Sequence, residues 1–431
     1  MTAPIATNQT ILVVGGGISG MTAALEAAEC GKQVMLVEKT PTLGGRTAQL
    51  YRYFPKMCHP TCGLEINLRR LRGNARVRVM TMTEVVAVGG RRGDYQVTLK
   101  IKPRYVNENC TACGKCVEAV KTEIADTFNY GEGKTGAKVK AAYLPHPMAY
   151  PMRYVLDASI VGTPEGEAAK AACLAGAIDL AMQEETVQVN VGAIVWATGW
   201  RPFDAAKIQP YGYDRIPNVI TSVEFERLAD PRGPTGGKLL RPSDGKEAKN
   251  IAFIQCAGSR DENYLRHCSR ICCMATLKQT QYVREAHGDG GQSTVYYIDI
   301  RAIDRFEDFY ANVWKDPTVR FVKSKVARIA LNEANGNPIL HGVDTEGYHR
   351  YANEHDLVVL AVGMEPEVTG VNLPDDVILD SSHFIEGSKD EGMFGAGAAA
   401  SPLDVNRAVQ SATAASLRAI QVIHKTATAE A

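Results

Sequence analysis

The sequence predicts an α/β protein with two parallel-sheet domains, the first of which carries a small insert. Three observations support this: a strand, glycine-rich turn and helix near the start, a second strand that ends in a turn near residue 256, and a cysteine-rich segment between them. At 431 residues the chain is long enough for two or three domains with their own cores. We predict first-domain segments at 1–103, 186–204 and 363–431, an insert at 104–185 and a second domain at 205–362.

Charge and composition exclude several classes of function. Lys+Arg and Asp+Glu both number 48, so charge gives no reason to expect nucleic acid or an anionic membrane as partner. No stretch reaches about 18 consecutive apolar residues, so no membrane span is expected. The first ten residues lack the basic start and long apolar run of a secretion signal. The 11 cysteines mostly cluster at ligand-like spacings, which favours a reducing cytoplasm and metal or redox chemistry.

The first domain begins with a dinucleotide-binding motif. A β run at 10–14, a glycine-rich turn and a helical pattern precede a second strand that is closed by Glu38. Gly15 makes the turn, Gly17 lets a pyrophosphate approach, and Gly20 permits close packing of the helix. Glu38 is expected to accept hydrogen bonds from the ribose hydroxyls of the cofactor.

Later motifs favour FAD over NAD. Leu43-Gly-Gly-Arg46 follows the second strand, as in two-dinucleotide-binding flavoproteins, where this loop lies along the flavin. Residues 192–199 predict a buried strand that ends in an Ala-Thr-Gly turn. Residues 392–397 predict a strand and glycine turn before the last helix, whose N-terminus is expected to point at the flavin, although Ala398 replaces the usual aspartate. The predicted cofactor-binding residues are Gly15, Gly17, Ser19, Gly20, Glu38, Lys39, Gly44, Gly45, Arg46, Ala197, Thr198, Gly199, Gly395 and Gly397.

The insert carries the spacing of half a ferredoxin. Cys110, Cys113 and Cys116 form C-x2-C-x2-C, but Val120 stands where a ferredoxin has its fourth cysteine. In two-cluster ferredoxins that fourth cysteine ligates the other cluster, so the missing ligand is expected in a decayed second half. Cys173 lies in such a segment. The four cysteines predict one [4Fe–4S] cluster, and the alternative is a redox or zinc knuckle of three cysteines with a stray fourth.

The second domain has a cysteine where its first phosphate-binding glycine would stand. The apolar strand 250–255 runs directly into Cys256. Glycine is needed there because only glycine lets backbone N–H groups approach a pyrophosphate closely. We therefore predict that this domain has lost its nicotinamide nucleotide. A helix is predicted from about 268 to 286, on which Cys268 and Cys272 share one face and Cys273 is rotated away.

A second group of thiols follows from this arrangement. Cys256, Cys268, Cys272 and Cys273 around a helix N-terminus suit an iron–sulfur cubane, whose anionic form gains from the helix dipole. Zinc is the main competitor, since four cysteines satisfy it equally. Buried core cysteines are the third interpretation.

These residues also support a resemblance. Gln255 to Glu262 and Cys268 to Gln279, with the N-terminal glycine motif, the insert and the closing Gly-Ala-Gly turn, resemble the FAD-binding iron–sulfur A-subunit of heterodisulfide reductases. The resemblance implies a thioredoxin-reductase-like, two-dinucleotide-binding flavoprotein with a ferredoxin-like insert. It also implies an atypical [4Fe–4S] cluster on the second cysteine group, a catalytic Lys278 near the flavin N5, and a homodimer.

Together these features predict one component of an oxidoreductase complex. We expect electrons to pass between FAD, one or two [4Fe–4S] clusters and partner proteins, either other subunits of a heterodisulfide-reductase-like complex or protein electron carriers. The chemistry is the oxidation or reduction of disulfide or persulfide sulfur. The chain starts at the flavin strand and ends after the last helix, so it most resembles the short forms from complexes of sulfur-oxidising bacteria.

Cys58 and Cys62 leave other functions open. This C-x3-C pair is compatible with a structural role, with two ligands that have lost their partners, or with a redox dithiol beside the flavin. The last would suit a stand-alone NAD(P)H-dependent disulfide reductase. A non-enzymatic role in assembly or redox sensing is a further alternative. The stretch 131–153 is predicted to be loop.

Overall fold

The computed structural model describes residues 6–430, with side chains as far as residue 426. The first five residues, which belong to the stretch tested for a secretion signal, lie outside the described residues. The chain opens with an alternation of strand and helix followed by an antiparallel hairpin. These elements are β1 (Thr10–Val14), α1 (Ile18–Glu29), β2 (Gln33–Glu38), α2 (Gly45–Ala48), α3 (Thr61–Gly73), β3 (Val77–Thr81), β4 (Thr83–Arg91) and β5 (Asp94–Ile101).

The insert follows β5 and has its own small apolar core, which includes Val106, Ile160 and Ile178. The predicted loop at 131–153 is partly wrong, because it contains β7 (Lys138–Lys140) and β8 (Ala142–Tyr143), which pair with β6 (Glu123–Ala125) and β9 (Val155–Leu156). Strands of two or three residues are too short to give an alternating pattern in the sequence. The elements are α4 (Lys115–Glu118), β6 (Glu123–Ala125), β7 (Lys138–Lys140), β8 (Ala142–Tyr143), β9 (Val155–Leu156) and α5 (Pro164–Ala172).

After the insert, three strands return the chain to the first domain, and the second domain follows. The crossing strands are β10 (Glu185–Val191), β11 (Ala193–Trp196) and β12 (Trp200–Pro202). The second domain comprises β13 (Val219–Thr221), α6 (Ser222–Ala229), β14 (Asn250–Ala257), α7 (Cys272–His287), β15 (Gln292–Tyr297), α8 (Glu307–Trp314), β16 (Val319–Lys323), β17 (Arg328–Leu331), β18 (Pro338–Asp344), β19 (His349–Glu354) and β20 (Leu357–Val362). Its parallel sheet has the order β13-β20-β14-β15-β16.

The predicted start of the cysteine-bearing helix is wrong. Helix α7 begins at Cys272, so Cys268 lies in the preceding loop and the two residues do not share a helix face. Arg270 has a φ of +63°, in the left-handed region, which a right-handed helix does not include. The spacing of four residues suggested a helical turn that the backbone does not make.

The last segment returns to the first domain and completes its sheet. Its elements are β21 (Met364–Pro366), β22 (Val377–Leu379), β23 (Ile385–Ser388), β24 (Met393–Gly395) and α9 (Val405–Glu430). The first sheet has the order β24-β11-β1-β2-β3, and all its strands are parallel. Both faces are buried, which explains the continuous apolar runs. Among the helices of residues 6–430, none combines the length and hydropathy needed to cross a bilayer.

Candidate functional site

A cleft of about 650 Å³ opens at the carboxyl edge of the first sheet. Parallel α/β sheets place their ligand sites at this edge, where the loops after neighbouring strands meet. The turns after β1 and β11, the loop after β2, the N-terminus of α9 and part of the insert form its walls. The predicted cofactor residues that line it are Gly15, Gly17, Ser19, Glu38, Lys39, Gly45, Arg46, Ala197, Thr198 and Gly199.

The glycine turn after β1 has the shape of a phosphate cradle. A Cβ on Gly15, whose φ is +109°, would lie 2.2 Å from the Ala197 carbonyl oxygen. A Cβ on Gly20 would lie 1.7 Å from the Gly15 oxygen, so this glycine permits the close helix packing. Gly17 differs, because its Cβ would meet nothing within 4 Å. Gly17 is also the N-cap of α1 without a side-chain cap, and such a helix end suits a pyrophosphate.

Two polar groups next to this turn bear on the fit of FAD. The Glu38 carboxylate accepts hydrogen bonds from the backbone N–H of Gly16 at 2.6 Å and of Thr40 at 2.8 Å, so it holds the turn against the loop after β2. Its bond to a ribose stays a prediction. The Thr198 hydroxyl lines the cleft and is buried without a hydrogen-bond partner. A bound ligand with polar groups would satisfy it, so these residues fit the dinucleotide.

The remaining predicted glycines shape the walls without lining the cleft. The Gly44 N–H donates to the Gly16 carbonyl oxygen at 2.9 Å, which closes the loop onto the glycine turn. A Cβ on Gly395 would lie 2.2 Å from the Ile385 oxygen. Gly397 has a φ of +62°, and its Cβ would lie 1.9 Å from the Ser19 hydroxyl. These positions need glycine for packing.

The insert supplies a wall of the cleft that sequence reasoning missed. The rings of Phe128 and His146 stack with centroids 4.9 Å apart, and both line the cleft. The Tyr130 hydroxyl accepts from Arg46 Nη1 at 2.9 Å and donates to Gln49 Oε1 at 3.1 Å. Burial lowers the pKa of His146 to about 4, so this histidine is neutral at neutral pH. No sequence motif predicted that Phe128, Tyr130 and His146 would line a cleft.

The N-terminus of α9 also lines the cleft. Asp404 lines the cleft, its side chain is 6% exposed, and its Oδ1 accepts from the Arg407 N–H at 3.0 Å. The helix therefore starts at the cleft with an aspartate cap. Ala398, which replaces the aspartate usual in flavoproteins, also lines the cleft.

Three of the insert's four predicted ligands lie in its apolar core or against it. Cys116 lies on α4 within that core, and Cys110 and Cys173 pack against it. Burial, followed by the charge of Cys110, raises the pKa of the Cys116 thiol to about 11. Cys113 is exposed, and the backbone N–H of Lys115 lowers the pKa of its thiol. Helix α4 packs against α5, at whose end Cys173 lies.

The second cysteine group lies at the end of β14. Cys256 has a φ of +56°, so the backbone keeps the conformation that a glycine adopts without strain. The pairing of β14 with β20 shifts register at this point. Burial raises the pKa of the Cys272 thiol well above its usual value, and the charges of Cys273, Cys256 and Cys268 raise it further. The thiols of Cys256, Cys268 and Cys273 therefore all lie within electrostatic range of the Cys272 thiol.

Both groups have the donor chemistry of a cubane, in which each thiolate binds a different iron. Among the side chains that the structure describes, residues 6–426, no three of His, Cys, Asp or Glu are grouped closely enough to hold a single metal ion. Two residues near the second group in sequence have buried polar atoms without a partner. They are Gln255, which precedes Cys256, and Thr276, one turn after Cys272. The donor sets fit clusters, and the assignment of each cysteine stays a prediction.

Lys278 lies away from the cleft lining. Its Nζ forms an ion pair with Glu226 Oε1 at 2.7 Å and donates to the Arg52 carbonyl oxygen at 2.8 Å. Burial lowers the pKa of Lys278, and the charge of Glu226 opposes that shift. Its role beside the flavin N5 stays a prediction.

Cys58 and Cys62 are both exposed, the first before α3 and the second in its first turn. Burial raises the pKa of Tyr53, and charge on either thiol would raise it further.

Comparison with known proteins agrees with these features. A family model described as FAD dependent oxidoreductase matches residues 10–123. The chain is 38% identical over 422 residues to the second iron-sulfur A-subunit of the CoB–CoM heterodisulfide reductase of Methanopyrus kandleri, covering 95% of this chain and 63% of that protein. It is 34% identical to the A-subunit of the H(2):CoB-CoM heterodisulfide,ferredoxin reductase of Methanothermobacter marburgensis, covering 96% and 64%. The chain thus spans less than two thirds of the length of these relatives.

Solved structures show the same fold. The thioredoxin reductase of T. acidophilum matches with a TM-score of 0.53 and 13% identity, covering 97% of this chain and 99% of that one. That of Lactococcus lactis matches with a TM-score of 0.52 and 12% identity, covering 97% and 99%. The predicted thioredoxin-reductase-like, two-dinucleotide-binding fold is confirmed, and at this identity the likeness concerns the fold alone.

Proposed function

We propose that the chain, which is 34–38% identical to heterodisulfide reductase A-subunits over 95% or more of its length, is an oxidoreductase of that family and the FAD and [4Fe–4S] electron-transfer component of a heterodisulfide-reductase-like complex. Its partners are the other subunits of that complex and protein electron carriers, and its reaction belongs to disulfide or other sulfur redox metabolism. We also propose a cytoplasmic location and a homodimer. When bound, FAD exchanges two electrons and each cluster exchanges one.

The observation that carries this proposal is the conversion of the second glycine turn. Cys256 keeps the left-handed backbone of the lost glycine, and its thiol lies within electrostatic range of the thiols of Cys268, Cys272 and Cys273. A pyrophosphate needs backbone N–H groups that no side chain screens. Four thiols at that turn instead favour a cluster where a nicotinamide nucleotide would bind in related folds.

Residues that line the cleft connect it to both cysteine groups. Ile124 of the insert lines the cleft and also packs against the core that contains Cys116. Asp404 also lines the cleft and is ion-paired to Arg270, whose N–H donates to Cys268 Sγ. This arrangement supports a path for electrons from one cysteine group through the cleft to the other.

The residues of the cleft have separate tasks in this proposal. The N-terminus of α1 behind Gly17 binds the pyrophosphate, and the N-terminus of α9 stabilises negative charge that develops on the cofactor. Arg46 is fixed by Tyr130 and by stacking over Trp200, with 5.2 Å between its Cζ and the ring centroid. Phe128 and Tyr130 close the cleft from the insert side and exclude water.

An anaerobic reductive titration tests this function. We expect a low-potential reductant to reduce the flavin and the clusters in equilibrium with each other, followed by flavin absorbance and by electron paramagnetic resonance of the clusters. NADPH should leave the flavin oxidised. Bleaching of the flavin by NADPH at catalytic speed, with no cluster signal, would overturn the proposal.

The same titration decides the alternative of a stand-alone NAD(P)H-dependent disulfide reductase. The exposure of Cys58 and Cys62 favours this alternative, because a disulfide substrate could reach both thiols. It requires NADPH to reduce the flavin and requires loss of disulfide reduction in a Cys58→Ser variant. Cys30→Ser, which removes another exposed thiol, is the matched control.

A further inference from the structure

A ring of three ion pairs and one helix-cap hydrogen bond links the second cysteine group to the cleft. The backbone N–H of Arg270 donates to Cys268 Sγ at 3.4 Å. The guanidinium of the same residue donates from Nε to Asp404 Oδ2 at 3.4 Å and from Nη2 to Asp304 Oδ2 at 2.8 Å. Arg407 completes the ring through its bond from Nη2 to Asp304 Oδ1 at 2.7 Å. One residue therefore contacts a predicted cluster ligand and a residue of the cleft wall.

The ring fixes the start of α9. Asp404 uses Oδ1 to cap the helix through the Arg407 N–H, which leaves Oδ2 for Arg270. Its carboxylate is nearly buried, so it needs a cation, and Arg270 supplies one. The ring thus sets both the position and the charge of the helix N-terminus that lines the cleft.

The backbone of Arg270 indicates that this position is held by its contacts. Its φ of +63° lies in a region that residues other than glycine rarely adopt. Such conformations persist where surrounding contacts determine them. The contacts here are the sulfur of Cys268 on the backbone side and two aspartates on the side-chain side. A change at the cysteine group therefore moves the residue that holds Asp404.

We infer that Arg270 is a positioning residue that couples the second cysteine group to the flavin cleft. Perturbation of the cysteine group changes the affinity of the cleft for FAD, and FAD changes the cysteine group in return. The inference rests on the proposed function only in taking FAD as the occupant of the cleft.

A double-mutant cycle on FAD affinity tests the inference. FAD is titrated into deflavinated protein by flavin fluorescence, and the coupling is the ratio of the dissociation constants with Ser and with Cys at position 268. Wild type should give a ratio of about five or more. Arg270→Gln should bring the ratio close to one, because the link is gone. Arg270→Lys retains a cation for Asp404 but cannot contact Asp404 and Asp304 at the same time as a guanidinium does. This variant should therefore also lower the ratio.

Arg260→Gln is the matched control. Arg260 also contacts the cysteine group, through Cys256, and pairs with Asp299 instead of a cleft residue. It should leave the ratio at the wild-type value. A wild-type ratio near one, an unchanged ratio in both Arg270 variants, or an equal fall in Arg260→Gln would overturn the inference. Failure of wild-type protein to bind FAD would instead overturn the proposed function.

Discussion

Substitution of Gly17 by alanine separates the cofactor site from the stability of the fold. The backbone of Gly17 has a φ of −72°, which alanine adopts freely, and its Cβ would meet no atom within 4 Å. The apoprotein should therefore lose only about 0.5 kcal/mol, the order of a change of N-cap residue. In the FAD complex the new methyl group lies where the pyrophosphate must approach the start of α1.

The magnitude follows from the bonds that this approach makes. Moving the pyrophosphate by the width of a methyl group breaks one or two charge-assisted hydrogen bonds, worth roughly 1.5–3 kcal/mol, so the FAD dissociation constant should rise about 10- to 100-fold. Titration of deflavinated protein measures it. Gly63→Ala, at an exposed glycine of α3 whose Cβ also meets nothing within 4 Å, should leave FAD affinity unchanged. Unchanged affinity in Gly17→Ala, or loss in the control, would refute the reasoning.

Three further predictions concern buried charges and ligands. Lys278→Met should lower the free energy of unfolding in urea by roughly 3 kcal/mol, because it leaves Glu226 buried without its cation, and Glu226→Gln in the same protein should recover part of the loss. Burial lowers the pKa of His146 and of His355 to about 4, so the unfolded chain binds more protons than the folded one between pH 4 and about 6.5. The free energy of unfolding should therefore fall as pH drops through that window, by up to roughly 3 kcal/mol per histidine, and His146→Gln should remove its share; a flat profile would contradict this. Cys116→Ser should remove about four irons per chain, measured by iron analysis, with FAD retained, and unchanged iron would exclude Cys116 as a ligand.

Much of the cleft could be predicted from local sequence. The turn that contains Gly15 and Gly17 is recognisable because backbone geometry demands glycine at fixed spacing, and both residues line the cleft. The Ala-Thr-Gly turn ending at Gly199 is recognisable for the same reason. Cysteine spacing likewise predicts the group that starts with Cys256, and its other thiols lie within electrostatic range of that residue.

What the sequence could not predict depends on contacts between distant segments. Tyr130 reaches the cleft because the insert packs against the segment after β2, where it bonds to Arg46 and Gln49, and no local pattern encodes that packing. The ion pair of Arg270 with Asp404 joins residues 134 positions apart. The helix predicted from 268 failed for a related reason, since a left-handed residue between Cys268 and Cys272 leaves no trace in their spacing.

Iron and acid-labile sulfide per FAD, determined in anaerobically purified wild type and in Cys256→Ser, test most directly whether thiols have replaced the nicotinamide nucleotide. The account predicts about eight irons per FAD in the wild type and about four in the variant. The same iron content in both proteins would show that Cys256 holds no cluster and would contradict the account.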